Sequence, residues 1–158
     1  MELGIAEIER AAALDRNLAV AQANIGMAKY FIGRGLETEA HVREALRLSP
    51  HDPVANVWMS FPGIAKLWLG MDAEAVAWLR RSIETDRNYP FAHFYLAAAL
   101  AHLGELGEAS AAARAGLELQ PSFTISLYRA SAACNHPAYL AGRERTYEGL
   151  RLAGVPEG

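Results

Sequence analysis

Breaks in the helical pattern fall at Arg16, Pro50, Arg87 and Pro121, spaced 34, 37 and 34 residues apart. Each closes a stretch with helical apolar spacing, so the chain is built by repeating one unit and must bury its faces by stacking copies of it. The unit is plainest over residues 88–121. Residues 91–103 are apolar all round, and residues 108–119 keep Ala109, Ala112, Ala113, Gly116 and Leu117 on one stripe, with Gly104 and Gly107 between the two helices.

The same reading extends in both directions. Residues 5–14 predict a helix with Ile5, Ile8 and Ala12 inward, a second helix without its first. Helices follow over 18–32 and 37–48, with Glu39 and Arg43 placed to pair on the wet side. Asp52-Pro53 reads as a cap and first turn for a helix over 54–69, in which Pro62 predicts a kink or break. Asp72 is the expected cap of a helix over 73–84. Ser122 is the expected cap of one through 133, a last helix covers 138–152, and residues 154–158 read as a free tail.

Within the units IGMAKYFIGR, PGIAKLWLGM and LAAALAHLGE align without gaps, and the second helices end in EALRLSP, RSIETDR and AGLELQP. Gly26, Gly63 and Ala97 share one position, and Ala45, Ser82 and Gly116 another, where small side chains let helices cross closely. On these motifs the chain resembles the tetratricopeptide repeat proteins. The resemblance implies an all-α, right-handed superhelix of antiparallel helix pairs, one domain over 1–158. It divides into a half repeat at 5–16, repeats at 18–50, 53–87 and 90–121, and a closing pair at 122–153. Thr38 departs from the family's usual Ala, and Arg16 and Arg87 from its closing Pro. Three extra residues in the middle unit predict a longer, protruding first helix. The stretches HDPVANVWMSFPGIAKLWLG and RTYEGLRLAGVPEG further resemble the repeat regions C-terminal to the catalytic domain of some bacterial class III adenylate/guanylate cyclases.

The resemblance also implies where a ligand lies, along the inner wall formed by the first helices. Carried over residue by residue, that wall holds Asn24, Met27, Tyr30 and Phe31, then Phe61, Ile64 and Trp68, then Phe91, Phe94, Tyr95 and His102. It is aromatic and uncharged apart from its His. Of the Lys, Arg and Asn that grip a peptide's C-terminal carboxylate in some family members it has Asn24 alone. An apolar peptide or helix held by aromatic anchors is the expected ligand. The same aromatics serve equally as core, because with so few repeats the closing helices can fold over the wall.

Chemistry is not expected of this chain. His41, His51, His93, His102 and His136 have no metal-ligand spacing, no nucleophile elbow or phosphate loop occurs, and no cofactor or metal is implied. Cys134 is the only cysteine and reads as a small buried apolar residue. Thirteen Arg and two Lys form no basic stripe against a net charge of −3, which argues against nucleic acid, and most of the Arg are expected on solvated faces. The apolar windows 54–69 and 91–103 are interrupted or short for a bilayer, and MELGIAEIER lacks a leader's basic flank. The expectation is a cytoplasmic interaction or scaffolding module whose partner is a protein, a peptide or an upstream domain of the same polypeptide. The alternatives are a homodimer through the unpaired helix at 5–14, and a small-molecule pocket around Phe61, Phe94 and Tyr95.

Overall fold

A computed structural model describes residues 18–158. The half repeat at 5–16, and the dimer face expected on it, lie outside the described residues. Three antiparallel pairs stack in order: α1 (Ala19–Phe31) with α2 (Thr38–Leu48), α3 (Ala55–Trp68) with α4 (Asp72–Thr85), and α5 (Pro90–His102) with α6 (Leu106–Leu119). A short α7 (Ile125–Ala130) and a long α8 (Pro137–Leu152) close the chain, and no strand occurs among the described residues.

Helices α1, α3, α5 and α8 end alike. Gly33, Gly70, Gly104 and Gly154 take φ between 76° and 86°, the left-handed turn that glycine enters without steric cost. The following amides of Arg34, Met71, Glu105 and Val155 then reach back to the carbonyls of Lys29, Lys66, Leu100 and Leu150 at 2.8–3.0 Å.

Where the paired helices cross at a glycine, a side chain would meet the facing helix at once. A Cβ on Gly26 would lie 3.1 Å from the Thr38 carbonyl oxygen, one on Gly63 2.6 Å from Leu79 Cγ, and one on Gly116 2.7 Å from the Phe94 ring. Ala45, Ser82 and Ala97 are fully buried. The two hydroxyls at such crossings are satisfied locally: Thr38 donates to the Gly26 carbonyl at 2.9 Å and Ser82 to that of Asn56 at 2.7 Å. Trp58 and Trp78 are buried, and Trp78 also carries the Arg43 and Arg81 guanidinium groups 5.3 and 4.4 Å from its ring centroid. Both lysines are drawn inward as well. Lys29 (side chain 5% exposed) lies 3.6 Å from Glu37, and Lys66 (11%) lies 3.1 Å from Glu39 and 2.5 Å from Glu74.

Several local expectations are corrected. Helix α3 runs unbroken through Pro62, with the Ser60 hydroxyl donating to the Val57 carbonyl at 2.6 Å in the turn beside it. At 14 residues it is one longer than α1 and α5, which have 13 each. The other added residues lie in the connection 49–54, where Asp52 accepts the Val54 amide at 3.1 Å. Asp72 does not cap α4 but begins it. Thr124, not Ser122, caps α7, accepting the Leu127 amide at 3.2 Å, and α7 stops at Ala130. Cys134 is half-exposed in the connection 131–136 rather than buried. The segment after Gly154 is tied down. Its Pro156 and Glu157 carbonyls accept the Ile125 and Ser126 amides at 3.0 and 2.8 Å, Val155 is buried, and Arg151 pairs with Glu157 at 2.8 Å.

The interior divides into two apolar clusters. One joins α1–α4 through Tyr30, Trp58, Phe61 and Trp78. The other joins α4–α8 through Leu79, Phe94, Phe123 and Tyr147. Trp68 and Tyr95 pack against both.

Candidate ligand-binding wall

The gap-free alignment of the first helices lays equivalent side chains in rows along the stack: Val20, Val57, Phe91; Asn24, Phe61, Tyr95; Met27, Ile64, Ala98; Phe31, Trp68, His102. Helix α8 lies across α1, α3 and α5 on this wall. The structure therefore brings the expected wall residues together but covers part of them. Tyr30, Phe61 and Ile64 are buried, while Asn24, Met27, Phe31, Trp68, Phe91, Tyr95 and His102 are half-buried. Phe94 turns away from the wall, edges against Gly116 and stacks on Phe123 with centroids 3.8 Å apart.

Helix α8 can lie so deep because glycines face the wall. A Cβ on Gly142 would fall 2.1 Å from the Trp68 ring, and one on Gly149 2.7 Å from the Ala98 carbonyl oxygen. Tyr139 fills the space beside them, its centroid 4.7 Å from Phe31 and 5.6 Å from Trp68. Polar groups fix the register. The Trp68 indole donates to the Thr146 hydroxyl at 3.1 Å, and His102 Nε2 donates to the Arg145 carbonyl at 2.8 Å. Arg145 donates through Nε to the Leu67 carbonyl at 2.7 Å and through Nη2 to Asp72 Oδ2 at 2.5 Å.

Arg143 is the residue that sequence reasoning missed. It is 5% exposed, and no carboxylate partners it among the described residues. Its Nε donates to the Tyr147 hydroxyl at 2.6 Å and its Nη1 to that of Tyr139 at 3.0 Å. Its Nη2 donates to the Tyr128 carbonyl near the end of α7, and its guanidinium carbon sits 3.9 Å from the Tyr128 ring centroid. Ring faces and a helix C-terminus thus replace a counter-ion. The available signal was the spacing Tyr139, Arg143, Tyr147, which puts all three on one face of a helix.

Burial also governs the hydroxyls on this wall. It pushes Tyr128 up to about 12, with the Arg143 charge and the Tyr95 hydroxyl acting in the opposite sense. Burial raises Tyr30 and Tyr95 well above the ordinary phenol range, and nearby tyrosines add to the shift.

Two open clefts flank this surface. One, of about 290 Å³, lies between α8 and the C-terminal ends of α1 and α3. The other, of about 180 Å³, lies between Phe91, Phe123 and Tyr128. No group of His, Cys, Asp or Glu able to hold a metal ion occurs among the described residues, and none of their helices is long and apolar enough to cross a membrane. Rings, small side chains and paired charges make up this surface.

No family model matches the chain, and no curated protein matches it. Among solved structures it is similar to MamA, with a TM-score of 0.66 and 19% identity over 94% of this chain and 84% of that one. It is also similar to YrrB, described as a TPR protein with an unusual peptide-binding site, with a TM-score of 0.60 and 26% identity over 96% and 75%. The MamA RS-1 ArsTM double mutant has a TM-score of 0.67 and 15% identity over 95% and 85%. The fold is therefore a right-handed superhelix of antiparallel helix pairs of the tetratricopeptide type.

Proposed function

We propose that this chain is a protein-interaction module, a scaffolding or regulatory part rather than a catalyst. The observation that carries the reading is the wall itself: uncharged, ringed, and already holding a helix through a tyrosine and two glycines. That is the chemistry of helix-in-groove recognition. Similarity to a peptide-binding repeat protein supports it. The half-exposed residues Asn24, Met27, Phe31, Trp68, Phe91, Tyr95 and His102 are the ones a partner can reach. The resemblance of residues 51–70 and 145–158 to regions beside bacterial cyclases supports, among protein partners, an upstream domain of the same signalling polypeptide. A cytoplasmic location and the absence of a cofactor belong to the same reading.

The test is a photo-crosslinker, p-benzoylphenylalanine, at Met27 or Phe91 on the wall and at Arg114 on the exposed side of α6. In the native host the wall positions should give a discrete adduct with one protein or with an upstream domain, and Arg114 none. Equal labelling from both faces, or no adduct, removes the reading.

A further inference from the structure

The larger cleft lies where α8 passes the turns of the first two repeats. Its lining is mostly bare backbone and methyl groups, from Gly33, Gly35, Ala65, Ala138, Ala141 and Gly142, with the rings of Tyr30 and Trp68 and the side chain of Arg145 beside them. Its volume of about 290 Å³ is at the low end of the roughly 300–1,000 Å³ of sites that enclose a whole small molecule, so a side chain suits it better than a cofactor. The apolar surface also extends onto its rim. Leu69 lines it and is 43% exposed, and Leu36, beside Gly35 in the turn, is 73% exposed.

The charges around the cleft determine what can enter. Arg145 is held by Asp72 at 2.5 Å and by the Leu67 carbonyl. Arg34 grips Glu37 with two bonds of 2.5 and 2.7 Å, and Lys66 lies between Glu39 and Glu74. A charged ligand group would compete with these existing pairs for its partner, whereas an uncharged apolar group leaves them intact. The cleft also continues the interface that α8 makes with the wall, since the Trp68 ring that meets Gly142 and Tyr139 lines it too.

We propose that this cleft is the anchor point of the partner, receiving an uncharged apolar side chain, a leucine or a phenylalanine, from a docked protein segment. The inference rests on the interaction reading above and names the chemistry of the partner at that site.

The test uses the full chain labelled with ¹⁵N and titrated with N-acetyl-leucinamide, N-acetyl-phenylalaninamide, N-acetyl-glutamate and N-acetyl-lysinamide. The first two should give saturable shifts at the amides of Gly33, Gly35 and Gly142 and at the Trp68 indole N–H, and the charged pair none. Ala141→Leu, at an exposed helical position, fills the cleft and should abolish those shifts while leaving the rest of the spectrum in place. Shifts centred elsewhere, no saturable shift, equal response to the charged probes, or full response in A141L would each overturn the proposal. Shifts here without a crosslinked partner would leave the cleft standing and remove the interaction reading. A wall-specific adduct without these shifts would do the reverse.

Discussion

Arg143 carries a full charge inside, and its neighbours are arranged around that charge as much as it is around them. Arg143→Leu removes the donor for two phenol oxygens and for a carbonyl at the end of α7. It should lower stability by about 2–4 kcal/mol in urea unfolding, because buried polar groups are left unmade. Arg143→Lys should recover little, since a single ammonium cannot span the fork. Glycines divide in the same way by surroundings. Gly142→Ala drives a methyl into the Trp68 ring and should cost about 1–3 kcal/mol. Gly107→Ala, in the first turn of α6 with nothing within 4 Å of a Cβ, should raise stability by about 0.5–1 kcal/mol. Thermal melts of the two variants should move in opposite directions. Tyr128 gives a pH prediction. The folded chain keeps its phenol proton to about pH 12, whereas an unfolded chain releases it near 10.0. Its contribution is whole below pH 10 and lost as pH rises toward 12, about 3 kcal/mol from this group. Tyr30 and Tyr95 are pushed the same way. Phenolate absorbance and far-UV dichroism should therefore change together, and a phenol titrating normally at these positions with helices intact would contradict the assignment.

Helix α7 has only 6 residues, too few to persist alone, and it depends on what surrounds it. Two of its first amide groups are bonded by carbonyls of the last residues of the chain, and Arg143 reaches a carbonyl near its end. Ending the chain at Leu152 removes those acceptors and buried Val155, and should cost roughly 2–4 kcal/mol. Amide exchange should accelerate in α7 far more than in α3. These dependencies mark what could be read from sequence. The three pairs and their register were legible because each crossing demands a small residue and each first helix ends at a glycine. That a closing helix could fold over the wall was legible too; where α8 would seat on it was not. Tyr139, Tyr147 and Leu150 show that the helix is covered, but apolar spacing does not say which surface covers it. The tail was read as free because the groups that hold it are backbone carbonyls, which leave no trace in residue type. Pro62 was read as an interruption from its missing amide, although the surrounding pairs over-determine the helix.

At the scale of the molecule, α8 changes how a stack of repeats behaves. An open solenoid is held by contacts between neighbours and can fray from its ends. Here one helix spans the first helices of all three pairs, and Trp68 and Tyr95 pack against both apolar clusters. Urea unfolding should therefore follow one transition, with tryptophan fluorescence and dichroism coincident. Trp68→Ala should separate the two probes rather than merely shift the midpoint. The site was legible as a set of rings on a shared wall, but the cleft arises only where α8 meets turns about a hundred residues earlier, and no local pattern records that meeting. With both lysines drawn inside and charge at the surface carried by arginine and carboxylates, acylating enzymes and amine-directed conjugation find no exposed lysine side chain on this protein. Attachment to a bead or a dye is better made through the half-exposed Cys134 thiol.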